Sequence, residues 1–203
     1  MSVGFVALLS GALTGQDMSK VANTPHNLNT VDVWGVVISQ NRVCLPCHTP
    51  HSAQNDETGK SQVLWNHAIT EQTFEMYTTS AGHQGGQPEG TSKLCLSCHD
   101  GATAIDSFGN NNDLFNNVRI PADRPSNLGT DLRDDHPIGV LYPPPDLTGY
   151  NDKSTFSGVK VVTINGADRV ECTSCHDPHS NTLGMFLRQT LDGSALCLEC
   201  HDE

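Results

Sequence analysis

Residues 172–180 read Cys172-Thr-Ser-Cys175-His176-Asp-Pro-His179-Ser180, and residues 44–52 read Cys44-Leu-Pro-Cys47-His48-Thr-Pro-His51-Ser52. The two share one frame, C-x-x-C-H-x-P-H-S. The remaining cysteines fall in Cys95-Leu-Ser-Cys98-His99 and Cys197-Leu-Glu-Cys200-His201, so all 8 are accounted for by four C-x-x-C-H motifs. Two thiols about one helical turn apart can each bond a vinyl group of one haem, and the adjacent histidine then points at the iron from the same side. Zinc ribbons also use C-x-x-C pairs, and an exported chain can close them as disulfides, but neither needs histidine in the fifth place. With 10 histidines in 203 residues, finding one after all four pairs by chance is on the order of 10^-5. The expected cofactor is therefore haem c, four groups, bonded through Cys44, Cys47, Cys95, Cys98, Cys172, Cys175, Cys197 and Cys200. His48, His99, His176 and His201 are the expected proximal ligands.

The repetition extends beyond one motif. Ser92-Lys-Leu-Cys-Leu-Ser-Cys-His-Asp100 is echoed by Ser194-Ala-Leu-Cys-Leu-Glu-Cys-His-Asp202, so each half pairs a CXXCHxPH site with an LCLxCHD site. We expect one tetrahaem domain over residues 1–203. It is built from two dihaem units, about 24–100 and 158–203, joined by an irregular middle at about 101–157. That middle is rich in Asn, Asp, Pro and Gly, including Asn110-Asn-Asn112 and Pro143-Pro-Pro145, which discourages long regular elements. One β-hairpin is legible: β-branched residues of Gly158–Ile164 and the segment Ala167–Glu171 flank Asn165-Gly166, a type I′ turn signal.

Only 36% of residues are hydrophobic and 5% aromatic, which makes a thin core for this length. The fold expected is that of a multihaem cytochrome c. It is mostly irregular coil, with short helices at the haem motifs, one or two small hairpins, and a core filled by stacked haems.

The 11 Lys and Arg against 23 Asp and Glu give a formal charge of -12, which argues against nucleic acid or an anionic membrane surface as a partner. The apolar N-terminal arm at residues 1–15, with Ser2–Gly15 at its heart, is too short to span a bilayer and has no Lys or Arg before it. It is read either as a signal remnant, or as an arm that packs on a neighbouring subunit, with the export signal upstream.

Four irons need four more ligands, and six histidines remain: His26, His51, His67, His83, His136 and His179. Methionine is not required, so Met76 and Met185 are expected to pack. His51 and His179 follow a proximal histidine by three residues, too close to reach the far face of the same haem. Each should ligate a neighbouring haem and so clamp two porphyrins together. His136 follows Asp134 and Asp135, either of which could orient its ring. His26 completes the expected set of His26, His51, His136 and His179; His67 stands in reserve and His83 is expected to be exposed.

Pro25-His-Asn-Leu28, the first motif through His51, Leu64-Trp-Asn66, Leu94 to Gly101, Asn127-Leu-Gly-Thr-Asp-Leu132, Asp135-His-Pro137 and the third motif through His179 together resemble the doubled-CXXCH cytochromes. The likeness covers most of residues 24–203, and within that family the chain resembles the tetrahaem cytochromes of the OmcE type. What the resemblance implies is bis-histidine ligation throughout, alternating stacked and T-shaped haem contacts, and head-to-tail polymerisation into a filament outside metal-reducing cells. It also implies one iron completed by a histidine of the next subunit, with His26 as the candidate. The 1–15 arm and the 101–157 middle do not match the family pattern.

The expected function is electron transfer, not catalysis, with partner cytochromes and extracellular acceptors exchanging electrons with a homopolymer at the cell surface. A soluble monomeric periplasmic carrier would show the same haem chemistry. A haem reductase would need an iron with an open position, and the spare histidines suffice to close every one.

Overall fold

A computed structural model of the protein describes residues 20–29, 38, 42–54, 63–79, 82, 84–109, 117–145 and 147–202. The Ser2–Gly15 stretch, His83 and Asn110–Asn112 lie outside the described residues.

Regular structure is sparse and gathers around the motifs. Glu75–Met76 (β1) pairs in parallel with Asp131–Leu132 (β2). The longest helix, Gly90–His99 (α1), carries the second motif along its C-terminal half. It ends at Asp100, followed by Gly101 at φ 67°, the left-handed residue that commonly terminates helices. The side chain of Asn127 fills the space where a Cβ of residue 101 would sit, at 2.4–2.8 Å.

The expected hairpin is present as Val162–Ile164 (β4) and Ala167–Val170 (β5), antiparallel with Ile164 opposite Ala167. Asn165 and Gly166 both take positive φ, 52° and 81°, as a type I′ turn requires. A third strand, Val140–Leu141 (β3), adds to the free edge of β5, giving the order β3-β5-β4. Neither β3 nor the β1-β2 pair has a sequence signal, because each is two residues long and held by its partner rather than by its own alternation.

The third and fourth motifs lie on Cys172–Cys175 (α2) and Ala195–Cys200 (α3). The first does not form a helix. Pro46 has no N–H to offer, and the chain closes turns instead, with Leu45 N donating to Arg42 O and His48 N to Cys44 O.

Among the described residues two small apolar clusters make the side-chain core: Phe74, Met76, Leu96 and Leu132, and Ile38, Ile105 and Ile120. Met76 packs as expected, whereas Met185 is 64% exposed. Coil, short helices and a divided core are compatible with a multihaem cytochrome. A polar seam joins α1 to α2, where Thr91 and Thr173 hydroxyls meet at 2.7 Å and Cys172 N donates to the buried Ser92 Oγ at 2.9 Å.

Candidate haem centres

Each motif is fastened at its C-terminal end to a remote stretch of chain. Asn66 N donates to Cys47 O, Leu128 N to His99 O, Arg188 N to Cys175 O and Asn151 N to Cys200 O, at 2.8–3.0 Å. In three motifs the same stretch also supplies a carbonyl to the histidine ring: Val63 O to His48 Nδ1 at 2.6 Å, Ser126 O to His99 Nδ1 at 2.7 Å and Met185 O to His176 Nδ1 at 2.8 Å. A histidine whose Nδ1–H is held by a carbonyl has its tautomer fixed and its Nε2 lone pair left for a metal.

The first and third motifs use one device for this. Val63 and Leu64 take φ of 50° and 55°, and Met185 and Phe186 take 47° and 57°. Left-handed backbone at non-glycine residues costs roughly 1–2 kcal/mol each, and it turns the first carbonyl of each pair onto the ring. Trp65 then bridges His48, and Leu187 bridges His176, in antiparallel fashion. The duplication read in the motifs thus continues into Val63-Leu-Trp-Asn66 and Met185-Phe-Leu-Arg188, where no shared residue advertises it.

The second imidazoles are brought to the first. Ring centroids lie 6.0 Å apart for His48 and His179, 6.2 Å for His99 and His26, and 6.5 Å for His201 and His136, with planes inclined by 16°, 65° and 74°. An imidazole nitrogen binds a metal at about 2 Å and lies roughly 1 Å from its own ring centre, so two imidazoles on opposite faces of one iron hold centroids about 6 Å apart. The residues fit a haem iron at three of the four motifs. His51 is exposed, and among the described residues His176 has no second imidazole at that spacing. No group of three or more His, Cys, Asp or Glu is gathered among the described residues as a zinc site would need. Paired imidazoles suit a porphyrin, which brings four nitrogens of its own.

His26 sits against His99 of its own chain, held by Pro178 O at 3.0 Å from its Nδ1 and by stacking on Phe186 at 4.2 Å. One expectation is corrected. His136 Nδ1 meets Pro137 O at 3.1 Å, so a backbone carbonyl, not Asp134 or Asp135, orients it. His67 is 1% exposed, with Nδ1 at 2.8 Å from Ala68 O and Nε2 at 3.5 Å from Cys98 Sγ. Both its nitrogens are engaged, and it lies beside an attachment sulfur.

Electrostatics favour ligation. Burial lowers the pKa of His26, His99 and His136, outweighing the carbonyls that hold their Nδ1 protons, so each ring is neutral, as a ligand must be. Burial pushes the Cys47 and Cys175 thiols up to about 11, with neighbouring cysteines adding to it. Cys172 departs from these, a hydrogen bond with Cys95 holding its thiol below the ordinary value against its burial.

The doubled CXXCH motif family matches residues 165–203, the stretch that holds the third and fourth motifs. No curated protein matches the chain. Among the described residues no helix is long and apolar enough to cross a membrane. The matched pair of motifs, with two more of the same form upstream, supports a multihaem c-type cytochrome that binds haem covalently and transfers electrons.

Proposed function

We propose that this chain is an exported tetrahaem electron carrier in which every iron is closed by two histidines. The observation that carries this is the 6.0–6.5 Å spacing of three proximal–distal imidazole pairs. His48, His99 and His201 take His179, His26 and His136. The repeat relates His48 to His176 and His179 to His51, so the exchange that gives His179 to the first haem gives His51 to the third. Closed irons leave no position for a substrate. The chain's task is then to hold porphyrins close and tune their potentials through axial ligands and burial.

The reading extends to a head-to-tail polymer outside the cell, passing electrons to partner cytochromes and extracellular acceptors along a continuous row of haems. Its support is the resemblance over residues 24–203. A heterologous contact that does not close grows as a filament.

Intact-mass analysis should find the polypeptide plus four haems, and the ferric protein should give only low-spin electron paramagnetic resonance signals. A dominant high-spin signal would overturn the closed-iron reading in favour of a haem reductase. Negative-stain microscopy should show filaments; discrete single protomers would leave the monomeric periplasmic carrier.

A further inference from the structure

The turn that follows the third motif touches the axial ligands of three different haems. His176 opens it, and its Nδ1 meets Met185 O at 2.8 Å. Three residues on, His179 faces His48 of the first motif. Its backbone N donates to Asp177 Oδ1 at 3.0 Å, and its Nδ1 lies 3.4 Å from the same oxygen. Between them, Pro178 O holds His26 Nδ1, and Phe186 lies flat on the His26 ring at 4.2 Å and 18°, so the distal ligand opposite His99 rests on this turn as well. The pair at the fourth motif, His136 and His201, is oriented by Pro137 and Tyr150 instead.

The turn is short and internally braced. Asp177 N donates to Phe186 O at 2.7 Å, Gly184 N to Asn181 O at 3.2 Å and Leu187 N to Gly184 O at 3.0 Å. Asn181 Oδ1 accepts from Phe186 N at 2.8 Å across the middle. Arg188 ties the exit back, with Nε on Thr173 O at 2.9 Å and Nη1 at 3.5 Å from Asp177 Oδ2. Met185 and Phe186 are both left-handed, so the Asn181 side chain braces the strained pair whose first carbonyl holds His176 and whose second ring holds His26. The Asp177 N bond to Phe186 O carries the same strain to the residue that holds His179.

We propose that residues 177–187 form one cradle for the axial ligands of three irons, and that Asn181, which touches no ligand, is a positioning residue through which all three potentials are coupled. This rests on the bis-histidine reading above. Ligand orientation and the hydrogen bond at Nδ1 are what a protein uses to tune a haem through its imidazoles, and a single frame here imposes both on three centres. The chain thereby makes these haems a group tuned together, with the haem of His136 and His201 tuned apart.

The test is a redox titration of the holoprotein followed by the nuclear magnetic resonance signals of the haem methyl groups, for wild type, Asn181→Ala, Asn181→Asp and Phe186→Leu. Asn181→Ala should shift three of the four midpoint potentials and leave that of the His136–His201 haem in place. Asn181→Asp keeps the accepting oxygen and should retain the wild-type pattern of haem methyl shifts, which follows ligand orientation, while its added charge lowers the nearby potentials. Phe186→Leu keeps the backbone bonds and removes the stacked ring, so it should shift the His26–His99 haem alone. Movement of one haem or none in Asn181→Ala, or of all four equally, would overturn the cradle. Should Asn181→Ala not fold, Phe186→Leu decides: an unmoved His26–His99 haem, or a shift spread over all four, sinks the proposal. Failure of the bis-histidine reading itself would appear earlier, as high-spin haem in the wild-type protein.

Discussion

His48 and His179 lie with their ring centroids 6.0 Å apart and their planes inclined by only 16°, although 131 positions separate them in a chain of 203. The other two pairs are inclined by 65° and 74°. Near-parallel axial imidazoles split the iron orbitals that donate into them, and near-perpendicular ones leave those orbitals close in energy. From these three haems the ferric protein should therefore give one ordinary rhombic low-spin signal, at His48–His179, and two highly anisotropic low-field signals, beside a fourth low-spin signal from the His176 haem. His179→Gly should abolish the rhombic signal and create a high-spin one; loss of a low-field signal instead would mean that His179 serves another iron.

Gly101 is tied to the second motif through Asn127. A Cβ at residue 101 would meet Asn127 at 2.4–2.8 Å, and Asn127 bonds Ile120 O and Gly129 N while its neighbours Ser126 and Leu128 hold His99. Gly101→Ala should cost about 2–4 kcal/mol, from left-handed strain and the lost bonds, and should shift the potential of the His99 haem. Denaturant unfolding with a parallel redox titration checks both effects.

Asp100 is buried next to that histidine. Burial acts to raise its pKa, but hydrogen bonds from Thr70, Thr103 and Ala102 outweigh it and hold the carboxyl below its ordinary value. A depressed folded pKa contributes stability above the unfolded pKa that is lost as pH falls through the folded one. Asp100→Ala should therefore cost about 2–4 kcal/mol at neutral pH. The difference from wild type should shrink through the acid carboxylate range. An acid-independent difference would assign the cost to packing alone.

Glu171, 1% exposed at the start of α2, behaves oppositely. Burial raises its pKa more than the Ser92 hydrogen bonds and Arg169 lower it. A raised folded pKa contributes stability below the unfolded pKa that is lost as pH rises through the folded value. Glu171→Gln removes the buried charge, and Ser174 N still donates to the backbone carbonyl of residue 171 at 2.8 Å. The substitution should raise Tm relative to wild type at neutral pH, with the gain vanishing as pH falls; a gain that persists at low pH would contradict the buried-charge account.

The four motifs were legible in the sequence because they are local. Two thiols and an imidazole stand at fixed offsets whatever the rest of the chain does, so the C-x-x-C-H pattern needed no structure to be found. The Asn165-Gly166 turn was legible for the same reason, since two positive-φ residues define it. What lay beyond reach was which distant residues meet. That His26 belongs with His99 is decided by Pro178 and Phe186, more than 150 positions away, and that His67 lies against Cys98 is decided by burial.

By itself, then, the amino-acid order determined what is bonded: four C-x-x-C-H motifs, doubled, in an acidic chain with too little apolar matter for a core of its own. Tertiary structure alone decided which second imidazole meets which first. That choice depends on backbone carbonyls, Pro178 O on His26 and Pro137 O on His136, as the aim of His48 and His176 depends on Val63 O and Met185 O. A backbone carbonyl has no residue type to reveal it, so its aim exists only once the chain has folded around it.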